Sequence, residues 1–159
     1  MNENNLEKII NNIVGDAIVK EVMSLKLAVK LIETVEEKAA EMGLAVVVAV
    51  SDASGRPIAV HCMDGAYHGS FDVAVNKTYT STAFQMSTAK LSRLCQPGQD
   101  LYGLQFSKNG KVMILGGGEP LMVGKTMIGA LGVSGGSAQE DSDLAAYGAS
   151  ALKEVIKCL

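Results

Sequence analysis

The chain has 159 residues, near the commonest size for one domain, with 48% hydrophobic and 19% charged residues. That balance excludes an intrinsically disordered chain and allows roughly 70% of the unfolded surface to be buried without a disulfide or metal staple. The net charge is −3, no basic block occurs, Trp is absent and aromatic residues make up 4%, so composition argues against a nucleic-acid-binding surface.

Three cysteines, Cys62, Cys95 and Cys158, stand far apart with no Cys-x-x-Cys pair, which fits a reducing compartment and gives no zinc ribbon or thioredoxin-type site. Glu3 and Glu7 precede the first apolar residues, unlike a secretory signal. The longest apolar run, Leu44 to Val50, is too short to span a bilayer. A soluble, cytoplasmic protein that is not in a membrane is expected.

Leu6, Ile9, Ile10, Ile13, Val14 and Ala17 recur at helical spacing, opposite Glu7, Lys8, Asn11, Asn12 and Asp16, and predict an amphipathic helix within residues 1–22. Such a short helix is marginal alone and needs a surface to lie against. Residues 23–159 form the domain proper. Ser24 caps a second helix with the stripe Leu25, Ala28, Val29, Ile32, Val35, Ala39 and Met42, and Gly43 ends it. The Val/Ala run Leu44 to Ser51 predicts a strand buried on both faces, turning through Asp52–Gly55 into a returning strand from Pro57 to Met63. Ser70 is expected to cap a third helix, with Asp72 favourably placed in its first turn. A polar helical turn and loop run to Pro97-Gly98. Lys111–Leu115, Pro120–Val123 and Thr126–Ser134 are expected strands, the last two joined at Gly124-Lys125, and Ala138–Ile156 is a closing helix. Hairpin-linked strands must be antiparallel, so the class is α+β, with a five-stranded antiparallel sheet flanked by helices.

The run Gly118 to Thr126 ends in Gly-Lys-Thr like a phosphate-binding loop. Five residues instead of four separate Gly118 from Gly124-Lys125, and the run joins two strands, so it reads as a hairpin and not an ATPase loop. Gly129, Gly132, Gly135 and Gly136, with Ser134, read either as the small-residue floor of a pocket whose N–H groups hold an anion, or as a crowded strand–helix turn. His61, Cys62, Asp64 and His68 form a local set of donors whose spacing matches no known zinc finger. Either imidazole, or Met63, is a candidate axial haem ligand. Lys77 reads either as a desolvated nucleophile or as half of a salt bridge. Eight Met and many Ala offer adaptable apolar walls, whether for a flat ligand or as core filler.

Met63 to Ala66, Gly69 to Lys77, Gln96 to Gln105, Gly116 to Pro120 and Ile128 to Gly136, in that order, resemble the GlcG/HbpS family, which includes the C-terminal domain of PduO proteins. The Pro-Gly-Gln-x-Leu-Tyr-Gly-Leu-Gln stretch is closest to the PduO branch. The resemblance covers about Ser24 to Val155 and implies a profilin-like or PAS-like fold and self-association from dimer to octamer. It further implies haem binding, with a corrinoid (cobalamin) or no cofactor as alternatives, in an accessory protein linked to cobalamin-dependent diol or ethanolamine utilisation. Corrinoid adenosyltransferase activity resembles the work of the separate PduO N-terminal domain and is not expected here. No family haem ligand falls on a matching residue, so His61 and His68 are cofactor candidates from their chemistry alone. A small polar metabolite is alternatively expected to meet Asp72, Lys77, Gly117, Gly118, Ser134 and Gly135. An enzyme acting on a small carbonyl or hydroxy acid would use Lys77, Asp72 or His61 for proton transfer. The resemblance also offers the first helix as a targeting tag for bacterial microcompartment shell proteins, placing the chain in the compartment lumen as cargo or assembly module. The plainer reading is a helix packed on its own domain.

Overall fold

The computed structural model describes residues 22–159, so the amphipathic stripe before Val22 lies outside the described residues. The elements are α1 (Leu25–Glu41), β1 (Val47–Asp52), β2 (Pro57–Cys62), α2 (Ser70–Phe84), α3 (Thr88–Leu94), β3 (Gly118–Val123), β4 (Thr126–Ser134) and α4 (Ala138–Lys157). Ser24 caps α1 as expected, accepting the Leu27 N–H at 3.2 Å, and Gly43 follows with φ +71°. A capping box opens α4: Ser137 Oγ accepts the Glu140 N–H, and Glu140 Oε2 accepts the Ser137 N–H at 2.7 Å. These bonds hold the Glu140 carboxylate below its ordinary range. Among the described residues no helix is long and apolar enough to cross a membrane.

The strands form one antiparallel sheet in the order β2-β1-β4-β3. The architecture is the expected α+β, but among the described residues the sheet has four strands, not five. Lys111–Leu115 is not a strand because its polar backbone is satisfied elsewhere. Thr80 Oγ1 on α2 accepts the Met113 N–H at 2.8 Å, while Val112 and Ile114 join a small core with Leu91 and Cys95. Ser70 is likewise not a cap: it is the first residue of α2, and Gly69 before it offers no side chain.

β1 and β4 are central, and alternate residues serve two cores. Val46, Val48 and Val50 with Leu131 and Val133 meet α1 and α4, burying Leu27, Leu31, Ile32, Val35, Leu144 and Leu152. Val47 and Ala49 meet α2 through Ala74. The buried face of α1 is turned from the expected stripe: Leu27 and Leu31 go inside, whereas Leu25 is 62% exposed.

Glycine sets how closely the helices approach. At Gly132 on β4, a Cβ would collide with the Ala74 carbonyl oxygen on α2. At Gly148 on α4, it would stand 2.6 Å from Val35 Cγ2 and collide with Leu131 Cδ2. The glycine-dense stretch thus lets the helices lie close on the sheet.

Candidate functional site

A cleft of about 440 Å³ opens where β2 ends and α2 begins, lined by Val47, Cys62, Met63, Asp64, Gly65, Ala66, Tyr67, His68 and Phe71. Its rim is a set of linked turns. Met63 N–H donates to Val46 O at 3.1 Å, extending β2 by one residue. Gly65, with φ +87°, supplies the left-handed turn that Asp64-Gly65 predicts. Ala66 N–H then donates to Met63 O and Ser70 N–H to Tyr67 O, both at 3.0 Å, which leads the chain into α2. Tyr67 is 72% exposed and Phe71 45% exposed, so two aromatic side chains border the cleft without being consumed by the core. His68 is exposed beside them.

His61 is elsewhere. It lies opposite Val48 in the β1–β2 register, whereas Cys62 lies opposite Val47, and strand alternation sends the two side chains to opposite faces. His61 Nδ1 is 3.3 Å from Glu36 Oε2 on α1, on the face away from the cleft. The two candidate imidazoles therefore do not converge on one site.

Lys77, Gly117, Gly118 and Ser134 come together, but their neighbourhood is filled by the protein itself. Lys77 Nζ donates to Val133 O at 2.6 Å and to Asp141 Oδ2 at 2.8 Å, with its side chain 1% exposed. Burial pushes the ammonium below the ordinary lysine range, against the opposing pull of Asp141. Asp141 Oδ1 also accepts the Gly136 N–H at 2.9 Å, tying the β4–α4 turn to the same carboxylate. A Cβ on Gly117 would stand 2.6 Å from Val133 O and 2.8 Å from Lys77 Nζ, and one on Gly118 would stand 2.8 Å from Ser81 Oγ. Gly135 is closed by Ala45 O in the same way, at 2.6 Å. Asp72, in the first turn of α2, is exposed. Gly117, Gly118 and Gly135 are thus packed closely against the protein's own atoms, and Lys77 is spent on Asp141 and Val133 O. Sequence reasoning missed Asp141, whose signal was an acid in the first turn of a helix following the Gly-Gly-Ser segment. The Gly124-Lys125 segment is the expected hairpin turn, joining β3 to β4.

This α+β fold belongs to the HbpS-like family: residues 23–150 match the family model described as haem degrading protein HbpS-like. The chain is 38% identical over 123 residues to an uncharacterized 15.0 kDa protein in the dhaT-dhaS intergenic region of Citrobacter freundii, covering 77% of this chain and 87% of that one. It is 39% identical over 109 residues to the corrinoid adenosyltransferase PduO of Salmonella typhimurium, covering 69% of this chain but 32% of PduO. The solved PduOC:haem complex matches with a TM-score of 0.78 and 35% identity, covering 82% of this chain and 94% of that one.

Proposed function

We propose that the protein binds haem in the cleft between β2 and α2, where His68 would hold the iron. The observation that carries this reading is an exposed imidazole beside two exposed aromatic side chains at a concave site of about 440 Å³. Ligand sites are typically clefts of roughly 300–1,000 Å³ with apolar walls and a few polar groups. The donor set fits an iron porphyrin: a neutral imidazole is a common haem ligand, and Val47, Ala66, Tyr67 and Phe71 offer apolar surface to a flat ring. The cleft lining contains no Lys or Arg, so the site supplies no cation for the propionates. When bound, haem would supply an iron centre for ligand or redox chemistry, and Val47, Ala66, Tyr67 and Phe71 would hold its ring. The relatedness to PduOC, whose haem complex is solved, supports the same reading.

The test is a haemin titration followed at the Soret band. The wild-type protein should shift the band at stoichiometric ratio, His68→Ala should lose most of the shift, and His61→Ala should keep it. No shift in the wild type sinks haem binding altogether, while a full shift in His68→Ala sinks this site.

The sequence similarity to PduO supports an accessory role in cobalamin-dependent diol or ethanolamine utilisation, with the chain assembling with itself and working in the cytoplasm or a microcompartment lumen. A carbonyl or hydroxy-acid enzyme is less well supported, because Lys77 is sealed, Asp72 is exposed, and His61 lies on the opposite face from the cleft.

A further inference from the structure

We infer that a second copy of this chain closes the cleft between β2 and α2, packing α2 against α2 antiparallel and laying its segment 90–111 over the opening. What the closed site holds rests on the haem reading, whereas the contact itself rests on charge and surface chemistry.

The cleft is incomplete in one chain. Its lining has no Lys or Arg, and between Arg56 and Lys90 the sole such residue is Lys77, which is sealed against Asp141. The charges at this end are acidic: Asp64 and Asp72, both exposed. Two propionates would add further negative charge there. The opposite end of α2 carries the complement. Leu91, Cys95 and Val112, joined by Phe84 from the last turn of α2, build a small lobe. Lys90, Arg93, Lys108 and Lys111 are exposed on it, against one acid, Asp100. None of these four cations has an ion-pair partner among the described residues. Tyr102 and Phe106, in the same segment, are 60% and 77% exposed. Lys108 and Asn109 are held at φ +51° and +55°, a strained backbone of the kind kept at binding sites.

From Phe71 at the cleft to Phe84 in the lobe, α2 rises about 20 Å, so the cations stand at the far end of the helix from their own cleft. An antiparallel second copy reverses this. Its basic lobe meets the acidic cleft, and two-fold symmetry brings the first copy's lobe to the second cleft. The surface between the two ends suits such a contact. From Val73 to Ala89 the sealed Lys77 is the sole charged residue, and α2 leaves Asn76, Tyr79 and Ala83 partly or fully exposed at helical spacing. The exposed sides of α1 and α4 instead carry ion pairs such as Lys30–Glu33, Lys38–Glu41 and Lys157–Glu154. Depletion of charge beside exposed aromatic residues is the composition of an interface core.

The test uses full chains and places two defects in different chains. His68→Ala removes the imidazole; Lys90→Gln, Arg93→Gln, Lys108→Gln and Lys111→Gln together remove the cations. Each variant alone should bind haemin at least ten-fold more weakly than the wild type in a Soret titration. In an equal co-expressed mixture, about a quarter of the clefts keep His68 and also face an intact lobe, and that fraction should bind with the wild-type midpoint. No recovery in the mixture, or a Gln variant that binds as tightly as wild type, overturns the proposal. A second measurement reads the contact without haemin. Asn76, near the middle of α2, would face its own counterpart close to the two-fold axis, so Asn76→Arg sets like charges together. It should halve the mass seen in sedimentation velocity, whereas Asn76→Gln should not. An unchanged mass in Asn76→Arg, or a wild type that is monomeric with and without haemin, overturns the proposal. A wild type that associates through this contact and gives no Soret shift leaves the contact standing and sinks the haem reading alone.

Discussion

Lys77 and Asp141 show what a single buried charge pair does in this fold. The pair joins the middle of α2 to the start of α4, and through Val133 O and the Gly136 N–H it fixes both sides of the turn between β4 and α4. Removing one partner strands the other in a medium that solvates it poorly. Lys77→Ala should therefore destabilise the protein by about 3–5 kcal/mol in chemical denaturation, while Lys77→Met with Asp141→Leu should recover most of the loss. A single variant as stable as wild type would show the pair to be ornamental. Glu119 presents the opposite case. It is partly buried on β3, and burial raises its carboxyl above the ordinary value of 4.5. A raised carboxyl contributes stability below that ordinary value and loses it as pH rises through the folded one. Glu119→Gln should accordingly raise the Tm at pH 7 and leave it unchanged near pH 4. An equal gain at both pH values would mean that packing, not charge, is responsible.

Local signals carried most of the element assignments. Ser24 and Gly43 bracket α1, Gly124-Lys125 turns the β3–β4 hairpin, and the 3.6-residue period of α4 reads from Leu144 to Val155. What the sequence could not show was which partner an element takes. Lys111–Leu115 has the apolar content of a strand, but Thr80 and the Leu91 cluster compete for it and win. The orientation of α1 was hidden for a similar reason: Leu residues at 25, 27 and 31 allow more than one buried face, and only the packing against β1 and α4 selects among them. The glycines carried the same ambiguity, since close approach by a ligand and close approach by a helix demand the same missing side chain. Gly148→Ala tests the helix version. Its added methyl group meets Leu131 and Val35, so a loss of about 1–3 kcal/mol in thermal or denaturant unfolding is expected. The candidate cleft was half legible: His68 and the Asp64-Gly65 turn stood out, but the contributions of Tyr67 and Phe71 depend on how the loop from Met63 to Gly69 folds back.

Two helices cover one face of the sheet and α2 covers the other, which leaves β2 and β3 as edges. Both edges carry a proline, Pro57 and Pro120, which withholds a donor from any incoming strand, and register shifts at Val50/Ser51 and Leu121/Met122 add local twist. The molecule is thus guarded against edge-to-edge growth while its cleft between β2 and α2 stays open. The sealed ammonium of Lys77 has one more consequence. Among the described lysines it alone is buried, so an acylating reagent should modify the others within the native state and reach this amine only when the molecule opens. Mass spectrometry of the labelled chain would then read global opening as the slow appearance of one modified peptide, and early labelling of Lys77 would expose a local breathing motion between α2 and α4.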